Sequence, residues 1–189
     1  MKKINDFISM YENSFFESAR ISDEILKKLN TLHKLSLKIK KNKKKILIFG
    51  NGGSAAISSH FSVDMTKIGQ IRTVNFNESD LLTCFSNDYG YEKVFEKAVE
   101  FYGDKGDLLI LISSSGRSAN VVNAAKRAKE LNMSVITFSG FKSDNALRKL
   151  GDISFWIDSK AYNIVEMTHH IWLLAIVDYI IGYIEYPAS

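Results

Sequence analysis

Several things are scarce in this chain, and each scarcity excludes something. There is one cysteine in 189 residues, so Cys84 has no internal disulfide partner and a reducing compartment fits. The ordinary expectation for such a residue is a small, buried, apolar side chain. No secretory leader is evident, because the opening MKKINDFISMYENS turns polar and acidic too soon. The expected location is therefore the cytoplasm. Nor is there a long uninterrupted apolar run. The most apolar stretch, IWLLAIVDYIIGYI, is broken by Asp178 and Gly182, which points to a buried helix and away from the membrane. Net charge is only +4, much of it in KIKKNKKK over residues 38 to 45. That run lacks interleaved aromatics and any recognition motif. It reads as a solvated helix end leading into a strand, with no nucleic acid as partner.

What remains is an ordinary globular composition, 46% hydrophobic and 24% charged, enough for one domain over 1–189 with a sizeable core. Residues 1–43 form a helical segment, with apolar residues recurring at three and four from Phe7 to Leu32 and helix expected over 5–41. From 44 to 189 strands and helices alternate. KILIFG, IRTVNF, DLLILI, SVITFSG and DISFWID read as strands. Helices are expected over 54–69, in two short pieces around a turn at Asn87 to Gly90, over 118–132, briefly over 145–151, and over 163–185. Ser54 is placed to cap the first of these. Strands that are continuous apolar runs imply a parallel sheet covered on both faces. The fold class is α/β, a five-stranded doubly wound sheet in the flavodoxin-like order 2-1-3-4-5 with extra N-terminal helices.

In that order the ligand crevice lies between strands one and three. Those are the two strands followed here by glycine–serine turns, GNGGS (50–54) and SSSGRS (113–118), and each turn opens a helix. Unpaired N–H groups at a helix start suit an anion, and serine hydroxyls add rotatable donors. A dinucleotide is disfavoured: GNGGSA lacks the last glycine of that pattern, and Asn75 and Asn77 stand where a ribose-binding acid belongs. A Walker lysine is missing as well. A small phosphate monoester held by Ser113, Ser114, Ser115 and Ser118 fits best. Arg117, inside the second turn, has a fork suited to a carboxylate or second phosphate, or is simply solvated.

At these two turns the chain resembles the SIS (sugar isomerase) domain family, and within it the phosphoheptose isomerases. ILIFGNGGSAAISSHF, SNDYGYEKVF, GDLLILISSSGRSANVVNAA and VITFSG fall in the expected order over nearly the whole chain. The resemblance implies the SIS fold and a ketose–aldose exchange between sedoheptulose 7-phosphate and a heptose 7-phosphate, in bacterial surface-sugar synthesis. It places the phosphate on the four serines and sugar hydroxyls on Asn51, Gly52, Ser54 and Asp88. It also implies a homotetramer with sites completed by neighbouring subunits.

The acid–base residues depart from the family. His-x-x-x-Glu after the first turn is here His60-x-x-x-Asp64. The family's Gln-Glu-x-His-x-x-x-x-His in the last helix, aligned on Glu166, meets Val165, Thr168 and Leu173, which suggests a divergent subgroup. Proton transfer through an enediol needs a base and an acid, and no cofactor. Asp64 is a candidate base, His169 or His170 a candidate acid, and Glu166 shares their helix face and can orient either ring. A second use of the same groups is a divalent ion such as zinc on His60, Asp64, Glu166 and His169; some phosphoheptose isomerases are similar in holding a metal there. The runner-up reading is a binding protein that senses a phosphosugar or serves as an oligomeric adaptor. No lysine stands at a strand end, which disfavours imine chemistry.

Overall fold

The computed structural model describes residues 4–185. It opens with two helices, α1 (Ile4–Ala19) and α2 (Asp23–Lys41), where one continuous helix was expected. The break has a local cause: Ser22 is extended, and its hydroxyl accepts from Ile25 N at 3.3 Å, an N-cap that starts a second helix.

The alternation follows as β1 (Ile46–Gly50), α3 (Gly53–Lys67), β2 (Thr73–Val74), α4 (Ser79–Tyr89), α5 (Val94–Tyr102), β3 (Leu108–Ser113), α6 (Ala119–Glu130), β4 (Ser134–Ser139), β5 (Ile153–Trp156) and α7 (Tyr162–Ile181). All four strand pairings are parallel, and the order is β2-β1-β3-β4-β5, as expected. Edge strand β2 is only two residues long, because its continuation turns to α3. Asn75 donates to Ser62 Oγ (2.7 Å), and Asn77 donates to Ala55 O and Ser59 Oγ. These amides stand where a dinucleotide-binder would carry its acid. The helix expected over 145–151 is a single 3-10 turn, Arg148–Leu150.

Successive strand residues face opposite sides, so a sheet buried on both faces needs two apolar layers. Ile46, Ile48, Ile110, Ile112, Phe138 and Phe155 face α2, α3 and α7. Leu47, Phe49, Leu109, Leu111 and Val135 face α5 and α6. Helix α7 is apolar enough by length and composition to cross a membrane, with a mean hydropathy of 1.4. Here it covers the sheet, burying Val165, Trp172, Leu173 and Ile176, and it stops at Gly182, whose left-handed φ of 88° caps it. Two expectations fail. Cys84 is exposed on α4, its Sγ 3.7 Å from Asp88 Oδ2. Ser54 does not cap α3; it lies inside the helix, and Gly52 holds the cap position with φ +57°.

The Phe138 and Phe155 rings stack at 4.5 Å in the α7 layer. Phe138→Ala is expected to destabilise the fold by about 3–5 kcal/mol, read from urea unfolding midpoints.

Candidate active site

Strands β1 and β3 are in register, with Gly50 opposite Ile112, so their following turns leave the sheet side by side. The β1 turn needs glycine. Gly52 has positive φ, and a Cβ on Gly53 would sit 2.1 Å from Glu166 Oε2. The β3 turn needs it too: Gly116 has φ +63°, and its Cβ would fall 2.0 Å from Asn145 Oδ1. Buried Asn145 donates to Ser139 Oγ and to Lys142 O, which holds the β4 loop together, and Gly140 N and Leu147 N tie that loop to the serine turn by donating to Ser114 O and Gly116 O.

Between the turns is a cavity of about 290 Å³. Asn51, Gly52, Gly53 and Ser54 line one side, and Ser113, Ser114, Ser115 and Ser118 the other. Tyr162 and Glu166, from the start of α7, close it. All four predicted phosphate serines therefore meet at one place. Neither α3 nor α6 has a side-chain cap, so their N-terminal dipoles face the cavity unneutralised. Ser113 and Ser118 hydroxyls are 3.2 Å apart, and Ser114 Oγ is buried without a hydrogen-bond partner. An orphaned buried hydroxyl at a cavity floor calls for a ligand acceptor. Asn51 is braced rather than free: it exchanges two amide hydrogen bonds with Asn120 and accepts from Tyr91 Oη at 2.8 Å.

The ionisable residues separate into three places. Glu166 is the carboxylate at the cavity. Burial raises its pKa, and the nearby Ser114 hydroxyl opposes that shift, although the two are not in hydrogen-bond geometry. His170 lies one turn further along α7 and meets His60 Nδ1 through Nε2 at 2.9 Å; His60 Nε2 is 3.2 Å from Asp64 Oδ2. Burial and the His60 ring lower the His170 pKa, and Asp64 pulls it back. At about 1.5 Å per helical residue, His60 and Asp64 stand about 10 and 16 Å from Gly53 along α3, and neither lines the cavity.

The third place is the core. His169 is fully buried against Phe138, and its Nε2–H donates to the Ser139 carbonyl at 3.2 Å. A carbonyl only accepts, so the ring is the Nε2–H tautomer, with Nδ1 unpaired. Burial lowers its pKa to about 4. This corrects the placing of His169 as acid or metal ligand: it faces the sheet. Glu166 likewise orients neither ring. The set His60, Asp64, Glu166 and His169 does not gather, and among the described residues no three His, Cys, Asp or Glu side chains converge on a metal position. Asp88 is exposed on α4, bonded to Asn87, and does not line the cavity. Tyr162 was missed, since a lone tyrosine before a helix carries no motif.

A doubly wound sheet with two glycine–serine turns at its switch point, two bare helix starts and an orphaned hydroxyl defines an α/β protein built around a small anion. A family model described as SIS domain matches residues 13–140, and the chain belongs to that family. Among its relatives, the phosphoheptose isomerase of Aliarcobacter butzleri (strain RM4018) is 35% identical over 159 residues, covering 80% of this chain and 82% of the relative. That of Helicobacter pylori (strain P12) is 32% identical over 183 residues, covering 93% and 94%. The solved structure of phosphoheptose isomerase from Neisseria gonorrhoeae superposes with a TM-score of 0.86 at 31% identity, covering 94% of this chain and 99% of that one. The family match ends at Gly140, before α7 and its Glu166 begin.

Two outcomes test this geometry. Gly53→Ala is expected to displace the Glu166 carboxylate, visible as a changed carboxyl titration by NMR, while the fold stays intact. His169 binds fewer protons folded than unfolded below its ordinary pKa of about 6.5. Its stabilisation is thus complete above that pH and lost as pH falls toward about 4. His169→Leu is expected to flatten the unfolding free energy over that window.

Proposed function

We propose that the chain is a sugar-phosphate ketose–aldose isomerase of the phosphoheptose isomerase kind, working on sedoheptulose 7-phosphate or a close ketose phosphate in the cytoplasm. One observation carries the reading: a serine turn, a glycine turn and a carboxylate of raised pKa line one cavity. The serines and the two helix starts hold the phosphate. Glu166 takes the proton from carbon beside the carbonyl, and the same proton, or one from solvent, returns to the neighbouring carbon. The hydroxyl proton passes to the former carbonyl oxygen. The acid and the base act on neighbouring atoms of the enediol, so the acid must stand within reach of Glu166. His170, about 6 Å beyond Glu166 on the same helix face, meets that need, with His60 and Asp64 relaying behind it. No step calls for a cofactor.

Exposed apolar side chains support assembly into a homotetramer that covers this face. Helix α1 buries none of its residues, and Phe7, Phe16, Val63 and Ile171 are all exposed. A non-catalytic phosphosugar sensor or adaptor is the second reading. It is favoured by Thr168 and Leu173, which replace the family's histidines with buried packing; Thr168 spends its hydroxyl on Ile164 O.

Glu166→Gln is expected to lower kcat by about 100- to 10,000-fold with little change in KM. In the parent enzyme, deuterium from solvent enters carbon two of the aldose product; binding of sedoheptulose 7-phosphate without exchange would establish the sensor instead. Because Glu166 must be ionised to act, the acid limb of the rate profile is expected above the usual carboxylate value of about 4.3. If Asp64→Asn abolishes exchange while Glu166→Gln leaves it, the base is Asp64.

A further inference from the structure

A second cavity, of about 280 Å³, opens on the other side of the serine turn. Its lining is Ser115, Arg117, Phe141, Lys142 and Lys160. Ser115 therefore belongs to both cavities. Three cations surround this space, and among the described residues none of them forms an ion pair with a carboxylate. The chain's other acids nearby in sequence, Asp144 and Asp158, are exposed and leave them unmatched. All three side chains are exposed at the rim of the cavity, so an anion entering it meets cations from three separate segments.

The walls are held as a unit with the phosphate turn. Gly140 N donates to Ser114 O at 2.9 Å, and Asn145 braces Lys142 O. Phe141 adopts a left-handed φ of 56°, rare for a bulky residue, and is kept there by donating to Ser159 O. Its ring meets Tyr162, a wall of the first cavity, edge to face at 4.9 Å. The Phe141–Tyr162 pair thus forms a ridge beside the shared serine.

We infer that Arg117, Lys142 and Lys160 form an anion subsite contiguous with the phosphate turn, so that a sugar phosphate carrying a second anionic group, phosphoryl or carboxylate, is held across both cavities. This rests on the phosphosugar reading for the first cavity and adds to it a class of ligand, doubly anionic sugars. Such molecules occupy the site more tightly than monophosphates and compete with them.

Calorimetry with the full chain compares fructose 6-phosphate, fructose 1,6-bisphosphate and 6-phosphogluconate. At low salt at least one of the two doubly charged ligands is expected to bind about tenfold more tightly than the monophosphate. Which of them does so separates phosphoryl from carboxylate. In Lys142→Gln/Lys160→Gln and in Arg117→Gln that advantage is expected to vanish, with fructose 6-phosphate affinity unchanged within about twofold. Equal affinity of all three ligands for the parent protein, or an advantage that survives both variants, overturns the subsite. Should neither fructose 6-phosphate nor sedoheptulose 7-phosphate bind, the phosphate-turn reading fails. The subsite is then judged on the bisphosphate alone: saturable binding lost in the variants supports it, and no binding overturns it.

Discussion

Parallel pairing of β1 with β3 is the constraint on which the rest depends. It sets Gly50 opposite Ile112, 62 residues further along the chain, and so brings the two following turns to the same level of the sheet. Each turn then starts a helix whose first N–H groups have no side-chain cap. One bare helix start is common; two that converge make a concentrated positive field in a space lined by hydroxyls. Asn51 and Asn120, exchanging amide hydrogen bonds between the turns, lock that spacing. A one-residue slip of β1 against β3 would offset the turns and exchange the side chains of two apolar layers, so it is the close packing of each layer that resists it.

Helix α7 sorts three ionisable residues within five positions, Glu166, His169 and His170, into different surroundings. Glu166 reaches the cavity, His169 points into the sheet, and His170 lies against His60 at the edge of α3. A helix turns by about 100° per residue, so the adjacent His169 and His170 point apart, whereas Glu166 and His170, four residues apart, share one face. Burial then raises the carboxylate's pKa and lowers that of the buried histidine. Burial thus makes one group easier to protonate than an ordinary carboxylate and removes another from proton chemistry altogether.

Strand order, the two turns and the gathering of four serines at one cavity were legible because each rests on local sequence: apolar runs of strand length, glycine where the backbone must turn, serine at a helix start. The failures have physical causes too. The break between α1 and α2 lay in one hydroxyl cap at Ser22, invisible against the apolar periodicity around it. Strand β2 shrank because Asn75 and Asn77 found acceptors on α3. Cys84 followed the outer face of an amphipathic helix and not its residue type's usual preference.

By itself the sequence determined most of the strands and helices, that the sheet is parallel and doubly wound, and where its two glycine–serine turns lie. These follow from hydrophobic patterning and backbone chemistry acting over a few residues. Only the tertiary structure decided which α7 side chain enters the cavity, that the His60–Asp64 pair stands apart from Glu166 and His169, and that Arg117 lines the second cavity with Lys142 and Lys160 and not the first. Those outcomes depend on the rotation of a helix on its sheet and on the docking of one loop against another. Both are set by packing between elements far apart in the chain.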